Sequence, residues 1–362
     1  MPKMKRAFAV LILVCILLTS SGLAAQPAYR KYSYVFFGTF DTVITILGYA
    51  QDKAVFDRAA KDAEAAFQRY HKIFDQYHPY DGVNNVFTLN RQAADAPVEV
   101  PDELFSLLMY CKDMQPKLRG TVNVAMGAVL ALWHDARELA ESNPEHAKLP
   151  DMAALRAATR HINMDDVVLD PEKQTVFYND PMLKLDVGAV AKGYATELVA
   201  QEMLRGELSH FIINAGGNVR TGKPPLDGRS NWGVGIQDPE AAILSPTDSD
   251  VIELMYMHDM SSVTSGDYQR FFTLDGINYH HIISAETLMP SHFMRSVTVI
   301  TEDSGLADIL STALFLMPYE EGLAFLKDFD QPVEALWVLN DHSVRMTDGA
   351  KKMAHSQGGT SN

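Results

Sequence analysis

The chain has 362 residues, 47% hydrophobic and 21% charged, with a formal net charge of -15. That length allows one large domain or two ordinary ones, with ample apolar material for a core. The acidic balance excludes non-specific attraction to nucleic acid or anionic membrane, so a phosphorylated ligand needs local donors and a cation.

Residues 1–25 read as a secretory signal peptide, with an uncleaved anchor as the alternative. Lys3, Lys5 and Arg6 precede an apolar run from Ala7 to Leu18, and small residues follow to Ala24-Ala25. The run is short for a membrane span. Its removal takes three cations and no acid, lowering the formal charge from -15 to about -18. Of the two cysteines, Cys15 falls in this segment and Cys111 alone remains, which excludes an intramolecular disulfide and a cysteine metal cluster. Ile12-Leu13-Val14 before Cys15 lacks the small residues of a lipoprotein site, favouring soluble export.

Val35 to Leu47 reads as a strand, broken early by Gly38. Ala54 to Phe74 carries apolar residues at helical spacing, and Asp102 to Gln115 is a second helix, stopped by Pro116. Val122 to His134 is apolar and helical in pattern, and Asp151 caps a short helix. Val167 to Leu169 and Thr175 to Tyr178 flank a turn; Leu183 to Val187 reads as another strand, and Val190 to Arg205 as a helix ending at Gly206. His210 to Asn214, Trp232 to Ile236 and Val251 to Met257 are strands. Arg270 to Leu274 and Ile277 to Ile283 form a hairpin around Asp275-Gly276. Arg295 to Thr301 is a strand, Gly305 to Phe315 a helix capped by Asp303 and Ser304, and Glu334 to Leu339 a late strand. The tail 350–362 is polar and expected to be disordered. The mixture has no strict βαβ rhythm, so the fold class is α+β, with largely antiparallel sheets, packed helices and one unit over 26–349.

Four segments carry chemistry. Asp308 and Thr312 stand four apart on one helix, so a carboxylate and a hydroxyl share a face, as a hard cation would need. The alternative is a solvated Asp near a helix start and a Thr bonded back to its own helix. In Leu185-Asp186-Val187-Gly188-Ala189-Val190-Ala191-Lys192-Gly193-Tyr194 a glycine turn precedes a helix, with Asp186 and Lys192 beside exposed backbone; a capping Asp and a surface Lys would look the same. Gly216 and Gly217, in Asn214-Ala215-Gly216-Gly217-Asn218, allow close backbone approach to a ligand or simply a turn. After Ser262-Val263-Thr264-Ser265-Gly266-Asp267-Tyr268 comes the hairpin with His280-His281, where His281 shares a face with Tyr279 and Ile283. One of the two histidines is a candidate functional imidazole, against a structural one. No G-x-G-x-x-G precedes a helix and no G-x-x-x-x-G-K-[ST] occurs, which sets aside the ordinary dinucleotide and P-loop readings.

As an ordered set these segments resemble the ApbE-like FAD:protein FMN transferases. Phe37-Gly38-Thr39-Phe40 looks like that family's opening Met-Gly-Thr motif, and Thr121-Val122-Asn123-Val124-Ala125-Met126-Gly127 like its early flavin-binding segment. The resemblance runs from about Phe36 to Phe315. It implies an enzyme that binds FAD as substrate and Mg2+, attaches FMN to a threonine or serine of a target protein and releases AMP. Carried over by motif, it implies that Asp308 and Thr312 hold the metal with side-chain oxygens and Ala189 with its carbonyl. Phe37, Gly38, Thr39, the Thr121, Val122 and Asn123 segment, Asp186, Lys192, Gly216, Gly217, His281 and Ile283 would contact the flavin nucleotide. His281 is the candidate general base and Asp186 the runner-up.

The implied acceptor is an exported or membrane-associated redox subunit, in a periplasm or at the cell surface, and no nucleic-acid partner is expected. The chain departs from the family at Phe37 for Met, at Asn123 for an acid, at Ser284-Ala285 for Asp-Pro and at Met289 for the Gly before Pro290. A Mg2+-dependent FAD pyrophosphatase and a non-catalytic exported FAD-binding protein are the competing readings.

Overall fold

The computed structural model describes residues 29–241 and 250–362. The expected signal segment, 1–25, lies outside them. Where the sequence reads as one strand, Val35 to Leu47, the chain reverses. Strands β1 (Arg30–Thr39) and β2 (Thr42–Ala50) form an antiparallel hairpin that turns at Phe40 and Asp41, both at φ 51°.

Helices α1 (Lys53–Phe74) and α2 (Val86–Gln92), strand β3 (Val98–Glu99) and helices α3 (Asp102–Met114), α4 (Gly127–Ser142) and α5 (Met152–Ala158) follow. Then come β4 (Val167–Asp170), β5 (Thr175–Tyr178), α6 (Ala191–Arg205), β6 (Phe211–Ala215), β7 (Asn218–Thr221), β8 (Trp232–Gln237), β9 (Val251–Met257), β10 (Ser261–Gly266), β11 (Phe271–Leu274) and β12 (Ile277–His280). The chain closes with β13 (Met294–Thr301), α7 (Ser304–Phe315), α8 (Tyr319–Phe325), β14 (Glu334–Leu339), β15 (Val344–Met346) and α9 (Asp348–Met353). The expected strand Leu183 to Val187 is not one. A single parallel bridge joins Met126 to Lys184, and the Asn90 side-chain amide takes the place of a neighbouring strand: Leu185 N–H donates to Asn90 Oδ1 at 2.7 Å and Asn90 Nδ2 donates to the Leu185 carbonyl at 2.9 Å.

The frame is one eight-stranded sheet in the order β1-β2-β6-β7-β10-β13-β14-β15, antiparallel at every junction. Both faces of its centre are covered, which explains the unbroken apolar run of β14. Ala335 and Trp337 join the main core, whereas Leu336 and Val338 join a second cluster formed with Val234, Met255 and Ala350. Helix α1 is capped by Asp52, whose carboxylate accepts the Ala54 N–H, and it buries Phe56, Ala60, Ala63, Phe67, Tyr70 and Phe74 at helical spacing. Each of the large side chains among them contributes about 1.5–3 kcal/mol by leaving water. A third cluster joins α4 to the β11–β12 hairpin through Trp133, Phe272, Ile283 and Leu288.

The tail expected to be disordered is folded. Helix α9 is capped by Thr347, Glu334 accepts the Gly349 and Ala350 N–H groups, and Ala350 and Ala354 are fully buried. These long-range contacts leave no local signal in a polar sequence. Among the described residues no helix is long and apolar enough to cross a membrane.

Candidate active site

Three walls enclose a cleft of about 1260 Å³, lined by Val43, Thr45, Asn214 and Ser265 from the sheet, Lys192, Asp308 and Thr312 from α6 and α7, and Val122, His134, Phe272 and His281 on the third side. That exceeds the roughly 300–1,000 Å³ of ordinary small-molecule sites.

Asp308 occupies the inner corner, 7% exposed. Helix α7 is started by Asp303, whose carboxylate accepts the Leu306 N–H at 2.7 Å, and Asp308 follows one turn later. Its Oδ2 accepts the Gly193 N–H at 2.7 Å. Helices α6 and α7 touch here, because a Cβ on Gly193 would collide with the Ser304 carbonyl oxygen and the Asp308 Cβ. Burial pushes the Asp308 carboxyl above its ordinary value, while Lys192 and the Gly193 N–H pull it back. The Asn218 amide also favours the ionised form, though its buried Nδ2 falls short of a formed hydrogen bond. Lys192 is drawn down by burial and held up by Asp308.

Lys192 Nζ donates to the Gly216 carbonyl at 3.0 Å. Gly216 and Gly217 form the β6–β7 turn with φ of 59° and 90°, and a Cβ on Gly216 would strike the Thr42 side chain. Asp186 is held on three sides: Oδ1 accepts the Gly188 N–H at 2.9 Å, Oδ2 accepts from Gln76 Nε2 at 2.7 Å, and its own N–H donates to the Val124 carbonyl at 2.8 Å. Asn123 is spent on backbone groups, its Oδ1 accepting the Ala125 N–H at 2.9 Å and its Nδ2 donating to the Ile162 carbonyl, 39 residues on, at 2.7 Å.

The two histidines divide as alternate residues should. His280 is buried; its Nε2 lies 2.6 Å from the Ser291 carbonyl and its Nδ1 accepts the Ile282 N–H at 3.2 Å, which fixes the tautomer. Burial holds its pKa below the ordinary imidazole value. A depressed folded value means that the unfolded chain binds more protons, so this residue's contribution is present above about pH 6.5 and lost as pH falls toward the folded value. His280→Gln therefore costs stability at pH 7, and the gap to wild type narrows as melts are repeated down to pH 5.

His281 opens to the cleft, and its Nδ1 lies 3.3 Å from the Arg270 carbonyl. Nδ1 must carry the proton against that oxygen, leaving the Nε2 lone pair free. The ring is accessible from the cleft but surrounded by protein. Loss of bulk water, with the Arg270 guanidinium second, lowers its pKa to about 3.

The cleft brings together Thr121, Val122, Asn123, Asp186, Ala189, Lys192, Gly216, Gly217, His281, Ile283, Asp308 and Thr312. Phe37, Gly38 and Thr39 do not line it. Phe37 is 78% exposed and pairs across β1–β2 with Val43, so it stands at the rim, and Phe40, Asp41 and Thr42 form the wall instead. The sequence reading missed Gln76, Tyr77, His134, Arg137 and Arg270, which also line the cleft. Tyr77 stacks on His134 with centroids 4.5 Å apart. Only the i,i+3 spacing of His134 and Arg137 on α4 carried any signal.

The ApbE family model matches residues 40–337. This chain belongs to the ApbE family. A curated relative, the FAD:protein FMN transferase of Treponema pallidum, is 31% identical over 355 residues, covering 93% of this chain and 92% of that protein. One of Klebsiella pneumoniae with the same name is 30% identical over 286 residues, covering 78% and 84%. The crystal structure of the ApbE protein of Thermotoga maritima matches with a TM-score of 0.77 at 28% identity, over 90% of this chain and 99% of that one. The flavin transferase ApbE from Vibrio cholerae, at 20% identity and a TM-score of 0.72, shares the fold. Membership makes the chain an enzyme of the flavin-transferase kind.

Among the described residues no three His, Cys, Asp or Glu side chains gather around one point. The oxygens that line this corner of the cleft belong to Asp308, Thr312 and Ala189. The donor set fits magnesium: one buried carboxylate with Oδ2 already fixed, the Thr312 hydroxyl, whose contacts to the Asp308 carbonyl and Ser265 are both long at 3.5 Å, and the backbone at Ala189. The family departure at Ser284-Ala285 is absorbed locally. Ser284 Oγ accepts the Glu286 and Thr287 N–H groups at 3.2 and 3.3 Å, closing the turn that the Trp133 indole anchors through the Leu288 carbonyl at 3.0 Å. The helix contact under Asp308 is less forgiving. Gly193→Ala is expected to cost about 1–3 kcal/mol or more through overpacking, read as a lower melting temperature, and to lower activity because the Asp308 backbone must move.

Proposed function

We propose that this chain transfers the FMN half of FAD to a threonine (or serine) hydroxyl of an acceptor protein, with Mg2+ held by Asp308, Thr312 and the Ala189 carbonyl, and with AMP released. The observation that carries the reading is the buried Asp308 carboxylate, which lines the cleft with the Thr312 hydroxyl and the Gly216-Gly217 turn. A bound Mg2+ would neutralise charge on the pyrophosphate and on the departing phosphate. It also reconciles a net charge of -15 with an anionic substrate. Lys192 and the turn backbone at Gly216 and Gly217 position the phosphates, and Asp186, fixed by Gln76, orients the ligand.

The new bond joins the acceptor oxygen to the FMN phosphorus. The bond broken is that phosphorus to the bridging oxygen, which leaves with AMP, and the hydroxyl proton passes to His281 Nε2. The amino-terminal pattern of residues 1–25 supports export, so the acceptor is proposed to be an exported or membrane-associated redox subunit facing the same compartment.

Mass spectrometry tests this directly. Protein, FAD, Mg2+ and a threonine-containing acceptor should yield an acceptor heavier by one FMN, and EDTA should abolish the gain. Free FMN and AMP beside an unmodified acceptor would instead make water the nucleophile. Intact FAD would argue for a binding protein.

A further inference from the structure

Helices α6 and α7 are tied together twice, at points one helical turn apart, with strand β7 beside both ties. In the rung that reaches the cleft, Asp308 accepts the Gly193 N–H at 2.7 Å and Asn218 of β7 lies against it. In the rung behind it, Glu197 Oε2 accepts the Ser304 N–H at 2.9 Å and Arg220 Nε at 2.9 Å, while Arg220 Nη2 reaches Oε1 at 3.4 Å.

The spacings match. Gly193 to Glu197 and Ser304 to Asp308 are each four residues, about 6 Å along a helix. Asn218 to Arg220 is two residues, about 6.6 Å along one face of a strand. The sheet register agrees, because Asn218 pairs with Val263, which lies in the core under the helices, whereas the intervening Val219 joins the cluster on the other face.

Neither Glu197 nor Arg220 lines the cleft, and both are buried. The remaining capacity is filled, since Gln201 Nε2 donates to Glu197 Oε1 at 2.6 Å and Arg220 donates to the Thr221 carbonyl. A buried pair like this is weak evidence of stability, because apolar side chains of similar volume often do as well. It supplies direction instead. An apolar contact would let α7 slide along α6, whereas one carboxylate bonded to both the first N–H of α7 and a strand guanidinium fixes where α7 begins.

We propose that Glu197 and Arg220 are positioning residues that set the register of α7 on α6 and so place Asp308 for metal binding, an inference that rests on the metal reading given above. The test is Mn2+ binding followed by electron paramagnetic resonance without FAD, with thermal melts alongside. The double variant Glu197→Leu/Arg220→Met removes the pair without stranding a charge. It should still melt cooperatively yet bind Mn2+ about 10–100-fold more weakly. In turnover, the Mg2+ concentration for half-maximal rate should rise by a similar factor, with little change in rate at saturating Mg2+.

Wild-type Mn2+ affinity in the folded double variant would overturn the proposal. If that variant fails to fold, Glu197→Asp, which keeps the charge but shortens its reach, takes its place with the same expectation and the same overturning result. Asp308→Asn separates the two layers. Undiminished Mn2+ binding there removes the metal reading itself, whereas loss there with wild-type binding in the pair variant removes the positioning role alone.

Discussion

Asp308→Asn lowers FMN transfer by at least about 100-fold, the scale on which a single charge-stabilising group is worth in a closed site, while the protein still folds. The amide keeps the shape of the carboxylate and can accept the Gly193 N–H that Oδ2 accepts at 2.7 Å. What it removes is the anionic oxygen. Asp308→Ala is a poorer probe, because it leaves that buried N–H without a partner at about 1–3 kcal/mol and blurs a chemical loss with a structural one. The direct check is the melting temperature with and without Mg2+. A ligand that binds only the folded state raises it, so wild type should gain with Mg2+ and Asp308→Asn should not. Wild-type turnover together with a retained Mg2+ shift would exclude Asp308 as a ligand. Asp308→Asn also removes the anion that holds the Lys192 ammonium up against burial and the Arg270 charge, and FAD binding is expected to weaken modestly as well.

The parts of the fold legible in the sequence are those whose causes are local. Helix α1 announces itself by its apolar spacing and its Asp52 cap, and the β11–β12 turn by Asp275-Gly276, which take the positive φ values of 52° and 78° that such a turn requires. Helix α7 was readable from Asp303 onward for the same reason. Elements set by distant partners were not. The β1–β2 reversal puts Phe40 and Asp41 at positive φ, without the Asn-Gly or Asp-Gly pair that marks such a turn. The segment Leu183 to Val187 has the composition of a strand, but its backbone is satisfied by the amide of Asn90, ninety-five residues away. Helix α9 is fixed by Glu334.

The same division runs through the site. Asp308, Thr312, Asp186, Lys192 and the paired glycines sit in segments with a recognisable order, so a resemblance could find them. Gln76 matters because it grips Asp186 at 2.7 Å, a relation that exists only in three dimensions. Gly193 reads as an ordinary helix glycine until the helix packed against it is known. Phe37 was assigned by motif to the ligand contacts, but in the fold the neighbouring turn residues form the wall and Phe37 stands at the rim.

His281→Ala is expected to lower the transfer rate by about 100-fold or more, within the range of a positioned acid–base group, with FAD affinity changed less than tenfold. The argument rests on the tautomer. With Nδ1 committed to the Arg270 carbonyl at 3.3 Å, Nε2 presents a lone pair to the cleft. The protein around the cleft-facing ring and the Arg270 guanidinium hold the free enzyme's imidazole at about 3, so it is neutral throughout the physiological range and never has to lose a proton before it can accept one. So low a value also makes it a weak base, and an anionic pyrophosphate bound nearby would strengthen it by favouring the charged form. The pH profiles separate these effects. The kcat/KM for FAD reports the free enzyme and should show no acid limb from this residue between about pH 5 and 8, whereas kcat, which reports the loaded enzyme, should fall at higher pH values than kcat/KM does. An acid limb in kcat/KM centred near the ordinary imidazole value, and lost in His281→Ala, would show the imidazole to be far less perturbed than its surroundings dictate. Lost FAD affinity with undiminished turnover at saturation would make His281 a ligand contact, leaving Asp186 as the base.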